Sequence, residues 1–171
     1  TFVVPSSLAA SFPSSSFQAT LNLPATLSYG LSWQATPKLI INADVNFVQW
    51  SSYDTLAIDL EKNTDKLKDI ASPKKYKDSY IYRLGAQYSP TAVLTVRAGA
   101  YYDSSPVKDE YVGPETPDAS KIGITAGASY LIKDKLSIDV SFVFIEGMKR
   151  TVTNQETGFG GTFKSRAVVP G

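Results

Sequence analysis

Neither cysteine nor histidine occurs in this chain. Their absence removes disulfides, zinc sites built on Cys or His, and any Ser-His or Cys-His nucleophile within the segment. A lack of cysteine also fits passage through an oxidising periplasm. An excess of one charge is missing too. Across 171 residues, 17 Lys and Arg face 16 Asp and Glu, so nothing points to nucleic acid or an acidic partner. No run of eighteen apolar residues exists, which excludes a transmembrane helix. A membrane is not thereby excluded, because a barrel strand meets lipid only at every second residue and its mean hydropathy stays near zero. The value here is slightly negative. The first residues lack the basic and apolar regions of a signal peptide, and Arg166 to Gly171 stop in what reads as the middle of a strand. The expectation is an internal piece of a longer protein, with residues 1–171 contributing to one domain.

Three segments align on one another without a gap. In each, a glycine (Gly30, Gly85, Gly127) lies three residues before an aromatic (Trp33, Tyr88, Tyr130), and a leucine (Leu39, Leu94, Leu136) follows that aromatic by six. An alternating strand follows each leucine. Leu39, Ile41, Ala43, Val45 and Phe47 share one face, against Lys38, Asn42, Asp44 and Asn46. Leu94, Val96, Ala98, Ala100 and Tyr102 oppose Thr95, Arg97, Gly99, Tyr101 and Asp103. Leu136, Ile138, Val140, Phe142 and Phe144 oppose Ser137, Asp139, Ser141 and Val143. The strands before them alternate too, through Leu27, Leu31 and Trp33, through Tyr80, Tyr82, Leu84 and Tyr88, and through Ile122, Ile124, Ala126 and Tyr130. Period-two alternation predicts six strands of about ten residues, the length a tilted strand needs to cross a bilayer. A seventh is expected to begin near Phe163.

Short turns are predicted at residues 34–37, 89–93 and 131–135, carried by Pro37, Pro90 and the pair Lys133 and Asp134. The other connections are long and polar: residues 51–79, 104–121 and about 146–162. The first holds a charged stretch, residues 59–69, read as a solvated loop in preference to a short helix. The second is spaced by Pro106, Pro114 and Pro117 and reads as an ordered, irregular loop. Short turns on one rim, long loops on the other and aromatics at strand ends mark a transmembrane β-barrel. A soluble sandwich or lipocalin-like barrel also alternates. Two features favour the membrane. The polar face is rich in small residues (Ser28, Gly30, Ser32, Gly85, Gly99, Gly123, Thr125, Gly127, Ser129), and the apolar face ends in Trp or Tyr beside each short turn.

Read in order, these residues resemble the FadL-type outer-membrane channels for long-chain fatty acids and aromatic hydrocarbons. The resemblance runs from about Leu21 to Gly147 and is carried above all by Trp50-Ser51-Ser52-Tyr53 and by Arg97-Ala98-Gly99-Ala100-Tyr101-Tyr102-Asp103-Ser104-Ser105-Pro106. Tyr82 to Tyr88, Pro117-Asp118, Gly127 to Tyr130 and Lys135 to Val140 add to it. It implies an all-β fold, a transmembrane antiparallel barrel of fourteen strands plugged by an N-terminal hatch, of which this chain supplies about seven C-terminal strands. It also implies a bacterial outer-membrane location and a hydrophobic small-molecule substrate, with a monomeric barrel bathed in outer-membrane lipid. No cofactor is implied.

Candidate substrate-contacting residues, all on the polar face, are Arg83, Arg97, Tyr101, Asp103, Ile81 and Val48. For Arg83 and Arg97 two readings stand side by side: charge-assisted capture of a carboxylate head group, or an internal Arg/Asp network with Asp44, Asp103 and Asp139. Ile40, Val48, Ile81 and Val143 are apolar residues on otherwise polar faces, which favours a greasy passage over a water-filled pore. Trp50 and Tyr53 read either as rim aromatics or as part of an entrance. The function expected is passive uptake of hydrophobic molecules. A non-transporting structural or adhesive barrel is the alternative, a soluble lipid-binding barrel a third reading, and enzyme chemistry is not expected.

Overall fold

A computed structural model describes residue 11 and residues 15–113, 118–132 and 136–171. In chain order the strands are β1 (Phe17–Thr20), β2 (Thr26–Thr36), β3 (Leu39–Val48), β4 (Thr55–Leu60), β5 (Ile70–Pro73), β6 (Ser79–Tyr88), β7 (Leu94–Asp103), β8 (Lys121–Ile132), β9 (Leu136–Gly147), β10 (Arg150–Thr153), β11 (Gly160–Phe163) and β12 (Arg166–Pro170). Seven of them form one antiparallel sheet in the order β2-β3-β6-β7-β8-β9-β12. The repeated segments are its hairpins β2–β3, β6–β7 and β8–β9, joined to their neighbours in continuous register. The six long strands run 10 to 12 residues, as the alternation predicts.

At the short-turn rim Pro37 and Lys38 make the first turn, and β2 carries an irregularity between Gln34 and Thr36. Thr91 Oγ1 accepts the Leu94 amide at 3.1 Å in the second turn, the local hydroxyl-to-backbone bond that favours Thr in turns. Lys133, Asp134 and Lys135, like Pro114 and Pro117, lie outside the described residues.

The alternation sorts the sheet into two faces. On one, Leu31, Trp33, Leu84, Ile124, Tyr130, Ile138 and Val140 each keep half or more of their surface open. On the other, Gly85, Gly99, Gly123, Thr125, Gly127 and Ser129 are half-buried or buried. The crowded polar side is the inner face of a curling sheet and the exposed apolar side its outer face. Outward aromatics cluster at two heights. Phe47 packs on Tyr80 with ring centroids 5.2 Å apart, and Tyr80 stacks on Tyr82, near the long-loop end. Trp33, Tyr88 and Tyr130 stand at the short-turn end. Eight residues separate Tyr80 from Tyr88, roughly 26 Å along a strand at ~3.3 Å per residue. At a tilt of ~40° that projects to roughly 20 Å, close to the apolar band of an outer-membrane barrel.

The long connections differ from their expected form. Residues 51–79 are not a plain solvated loop: β4 pairs with both β1 and β5, making a small three-stranded sheet. The charged stretch is a loop from residue 61 to residue 69, as expected, with Asp59 and Leu60 at the end of β4. It is closed by Asp69, whose carboxylate accepts the Leu60 amide at 2.9 Å and the Asn63 side chain at 3.1 Å. The seventh strand of the main sheet begins at Arg166 and not near Phe163, because Phe163 is held in the hairpin β10–β11 opposite Arg150.

The buried apolar cluster sits among these connections and not within the main sheet. Val107, Val112 and Val152 are buried, with Tyr76 and Phe163 packed against them. Arg150 is the polar centre of this cap. Its side chain is 14% exposed and its guanidinium meets Asp109 at 2.6 Å, the Asp118 carbonyl at 2.8 Å, the Val107 carbonyl at 2.5 Å and the Ser105 hydroxyl at 3.2 Å. Buried Asn154 donates to the Val112 carbonyl and accepts the amides of Glu156 and Thr157. One guanidinium and one amide thus tie residues 105–113 to residues 150–157.

Arg150→Ala in the full-length protein is expected to cost the cap about 2–3 kcal/mol, the worth of charged hydrogen bonds to partners left unsatisfied. Limited proteolysis checks it: cutting within 105–113 and 150–163 speeds up while the heat resistance of the barrel stays unchanged. The Asp69 carboxyl is held below the usual carboxylate range by the Leu60 amide, with the Asn63 amide adding to it. A depressed native pKa means that this loop closure is fully present above the ordinary carboxylate pKa and is lost as pH falls through the lowered one. Hydrogen exchange at the Leu60 amide is expected to show protection at pH 6 that disappears in strong acid.

Candidate functional site: the inner wall of the sheet

Strand register places the polar-face residues in rows that cross the sheet. At the long-loop end run Asn46, Ile81, Asp103, Lys121 and Gly147. Next come Asp44, Arg83, Tyr101, Gly123 and Ile145. The middle row is Ser32, Asn42, Gly85, Gly99, Thr125 and Val143, small and uncharged throughout. Below it stand Ile40, Gln87, Arg97, Gly127 and Ser141. The wall therefore carries a smooth trough between two rows that contain arginines.

Each charge on this wall has a partner set by its row. Arg83 Nη1 meets Asp44 Oδ1 at 2.7 Å across β6 and β3. Asp103 faces Lys121 at 3.5 Å, and Lys121 also reaches Asp118 at 3.5 Å. Arg97 does not pair with Asp103 of its own strand. Its Nε donates to Gln87 Oε1 at 2.9 Å and its Nη1 to Ser129 Oγ at 2.6 Å. The Ser129 hydroxyl donates in turn to Asp139, which also accepts Ser137 Oγ at 2.5 Å. A hydrogen-bonded chain thus crosses four strands near the short turns. Arg83 and Asp44 remain 42% and 38% exposed, so their ion pair contributes at most about 1 kcal/mol.

Tyr101 lies against the wall. A β-carbon built on its cross-strand partner Gly123 would run into the Tyr101 ring, so the missing side chain is what lets the ring lie flat. An aromatic covering a strand glycine restores the packing that the glycine gives up. At Gly85 an added β-carbon would meet only ordinary contact, the Ala98 carbonyl at 3.7 Å. The trough is open there. A depression of about 300 Å³ lies over it, reached by Asn42, Asp44, Arg83, Gln87, Arg97 and Tyr101. A second, about 310 Å³, lies beside Arg97, Ser129 and Asp139.

Of the sequence candidates, Arg83, Arg97 and Tyr101 meet around the first depression. Asp103 and Ile81 share the row nearest the long loops, and Val48 stands at the end of β3 opposite Ser79. The network members Gln87, Ser129 and Ser137 were not singled out from sequence. Trp50 and Tyr53 form a ring cluster with Tyr76, at 5.9 Å and 5.2 Å from it, packed into the cap and not standing free at the rim. Among the described residues no group of acidic side chains is placed to hold a metal ion.

A curling antiparallel sheet with an apolar outer belt, two aromatic levels and a polar inner face crowded with small residues defines a segment of an outer-membrane β-barrel wall. Residues 4–170 match the family described as outer membrane protein transport protein (OMPP1/FadL/TodX), and the chain belongs to that family. It is 31% identical over 142 residues to a 47 kDa outer membrane protein of Pasteurella multocida (strain Pm70), covering 82% of this chain and 32% of that protein. It is 28% identical over 146 residues to a long-chain fatty acid transport protein of Escherichia coli O6:H1, covering 85% and 32%. Among solved structures, a Pseudomonas aeruginosa FadL homologue superposes with a TM-score of 0.69 at 23% identity, over 90% of this chain and 34% of that one. The P. putida toluene transporter TodX gives 0.61 at 21% identity, over 90% and 34%. The chain spans about a third of the length of these relatives.

Packing of Tyr101 on Gly123 is testable by a double-mutant cycle. Gly123→Ala is expected to lower the denaturation midpoint of the full-length barrel and to have little effect once Tyr101→Ala is present. Equal losses in both backgrounds contradict the contact.

Proposed function

We propose that this chain forms the C-terminal seven strands of a fourteen-stranded outer-membrane barrel through which hydrophobic molecules, such as long-chain fatty acids or aromatic hydrocarbons, pass passively. The hatch and the remaining strands belong to the rest of the protein, and one barrel, ringed by outer-membrane lipid, is the working unit. The observation that carries this reading is the uncharged middle row of the inner wall, Ser32, Asn42, Gly85, Gly99, Thr125 and Val143, lying between the Arg83–Asp44 ion pair on one side and Arg97 on the other. An uncharged lane lowers the cost of stripping water from the wall as an apolar permeant passes, while a few polar groups beside it orient the cargo. Relatives named for long-chain fatty acid transport and fold neighbours named as monoaromatic hydrocarbon channels support the substrate class.

Catalysis is not the reading favoured. The inner-wall carboxylates are committed: Asp44 to Arg83, Asp103 to Lys121, and Asp139 to two serines. Arg97 is the candidate head-group contact, because its direct partners Gln87 and Ser129 are neutral and leave its charge available. Arg83, with a carboxylate already in place, serves the wall.

Uptake of labelled fatty acid and of toluene by cells that depend on the full-length protein tests the lane. Gly85→Phe, whose β-carbon meets only ordinary contact, is expected to reduce uptake at least tenfold with the heat resistance of the barrel unchanged. Unaltered uptake contradicts a path along this wall and favours the non-transporting structural or adhesive barrel. Arg97→Ala is expected to weaken fatty-acid binding and leave toluene binding alone. A loss of heat resistance with affinity intact assigns Arg97 to the wall instead.

A further inference from the structure

One charged cluster stands on the wrong face for the lumen. Glu146 lies opposite Ile122 on β8 and opposite Arg166 on β12, in the outward register that also holds Ile124, Phe144 and Val168. Its row continues across the sheet as Ile122, Tyr102, Tyr82, Val45 and Tyr29. Three of those are tyrosines, the residue type that marks the height of lipid head groups on the outer face of a barrel. Glu146 is the penultimate residue of β9, so the cluster lies at the long-loop end of the outer face.

Its stoichiometry is uneven. Glu146 takes Arg166 in a fork, Oε2 accepting Nε at 2.6 Å and Oε1 accepting Nη2 at 3.3 Å, and its Oε1 also accepts Lys164 Nζ at 3.0 Å. Neutralising one carboxylate requires one cation, and a cross-strand pair of β9 and β12 needs only Arg166. Lys164 is surplus. With β12 as the edge strand of this sheet, Lys164 and Arg166 keep 56% and 60% of their side-chain surface open, while Glu146 beneath them is at 29%. Arg166 is further steadied by lying over the Phe144 ring, 5.6 Å from its centroid. One carboxylate thus holds an ammonium and a guanidinium side by side, pointing outward with most of their donors unused. A net positive, pre-positioned pair of this kind matches a phosphate, which accepts from the guanidinium's remaining Nη hydrogens and from an ammonium point charge.

We propose that Lys164 and Arg166, aligned by Glu146 on the lipid-facing side of the long-loop rim, bind the phosphate of a phosphorylated lipid in the leaflet on that side. The site is separate from the inner wall and stands whether or not the channel carries fatty acids. Phe144, Ile122 and Val168 stand next to the cluster on the same outer face, so the lipid's apolar part meets them while its phosphate meets the cations.

Native mass spectrometry of the full-length protein in a neutral detergent tests this, with lipid A carrying its phosphates as probe and dephosphorylated lipid A as control. The native protein is expected to retain the phosphorylated probe at least fivefold better than the control. Lys164→Gln combined with Arg166→Gln is expected to abolish that preference while the heat-shifted mobility of the barrel is kept. Lys121→Gln, an inward-facing lysine variant, is expected to retain it. Equal retention of the two probes by the native protein overturns the proposal. So does a preference that survives the double substitution, one lost equally in Lys121→Gln, or a dimer through this patch that the double substitution dissolves.

Discussion

Backbone hydrogen bonding governs everything else in this molecule. Inside a membrane no water is present to satisfy an N–H or C=O left unpaired, so a spanning strand must be paired along its whole length. Within the seven-stranded sheet, β3, β6, β7 and β8 meet that demand on both sides, matched nearly residue for residue to their neighbours. Once the ladder is fixed, side chains alternate without choice. Every second residue answers to lipid and the others to the interior. The glycines and serines of the inner face, the Leu, Ile and Val of the outer belt and the tyrosines at its edges are consequences of that one constraint.

How much of this was legible follows from which contacts repeat. Strands that alternate for ten residues announce themselves, and the three equal spacings from glycine to aromatic to leucine give the hairpins and the side on which they turn. The cap was not legible. Val107, Val112 and Val152 come together from separate connections with no shared period, and Arg150 finds its partners only after those connections fold. The strand β4 did leave a trace, since Leu56, Ile58 and Leu60 alternate, but the charges that follow them masked it. Phe163 misled for a similar reason: a four-residue hairpin strand gives too little alternation to separate it from β12.

The inner wall shows the same division. Which residues share a face can be read from parity, and the register keeps Arg83, Arg97, Tyr101 and Asp103 together on the polar one. Who touches whom required register. Asp44 lies directly across from Arg83, whereas Arg97 lies across from Gln87 and Gly127 and reaches a carboxylate only through Ser129. Two arginines of equal appearance in sequence thus differ in kind, one neutralised in the wall and one facing neutral partners beside an uncharged lane. The wall and the cap also divide the chain: the sheet separates a polar face from an apolar one, and the packed connections gather beside its long-loop end.

The assignment of the two faces supports the whole account and is open to a direct test, because this segment has no cysteine of its own. Single cysteines at Gly85 and Thr125, and at Leu84 and Ile124, in a cysteine-free version of the full-length protein would be probed in native membranes. A water-soluble maleimide reports access to water, and a fluorophore quenched by brominated lipid reports access to the bilayer. The account predicts maleimide labelling at Gly85 and Thr125 without lipid quenching, and the reverse at Leu84 and Ile124. Lipid quenching at Gly85 and Thr125 would contradict it.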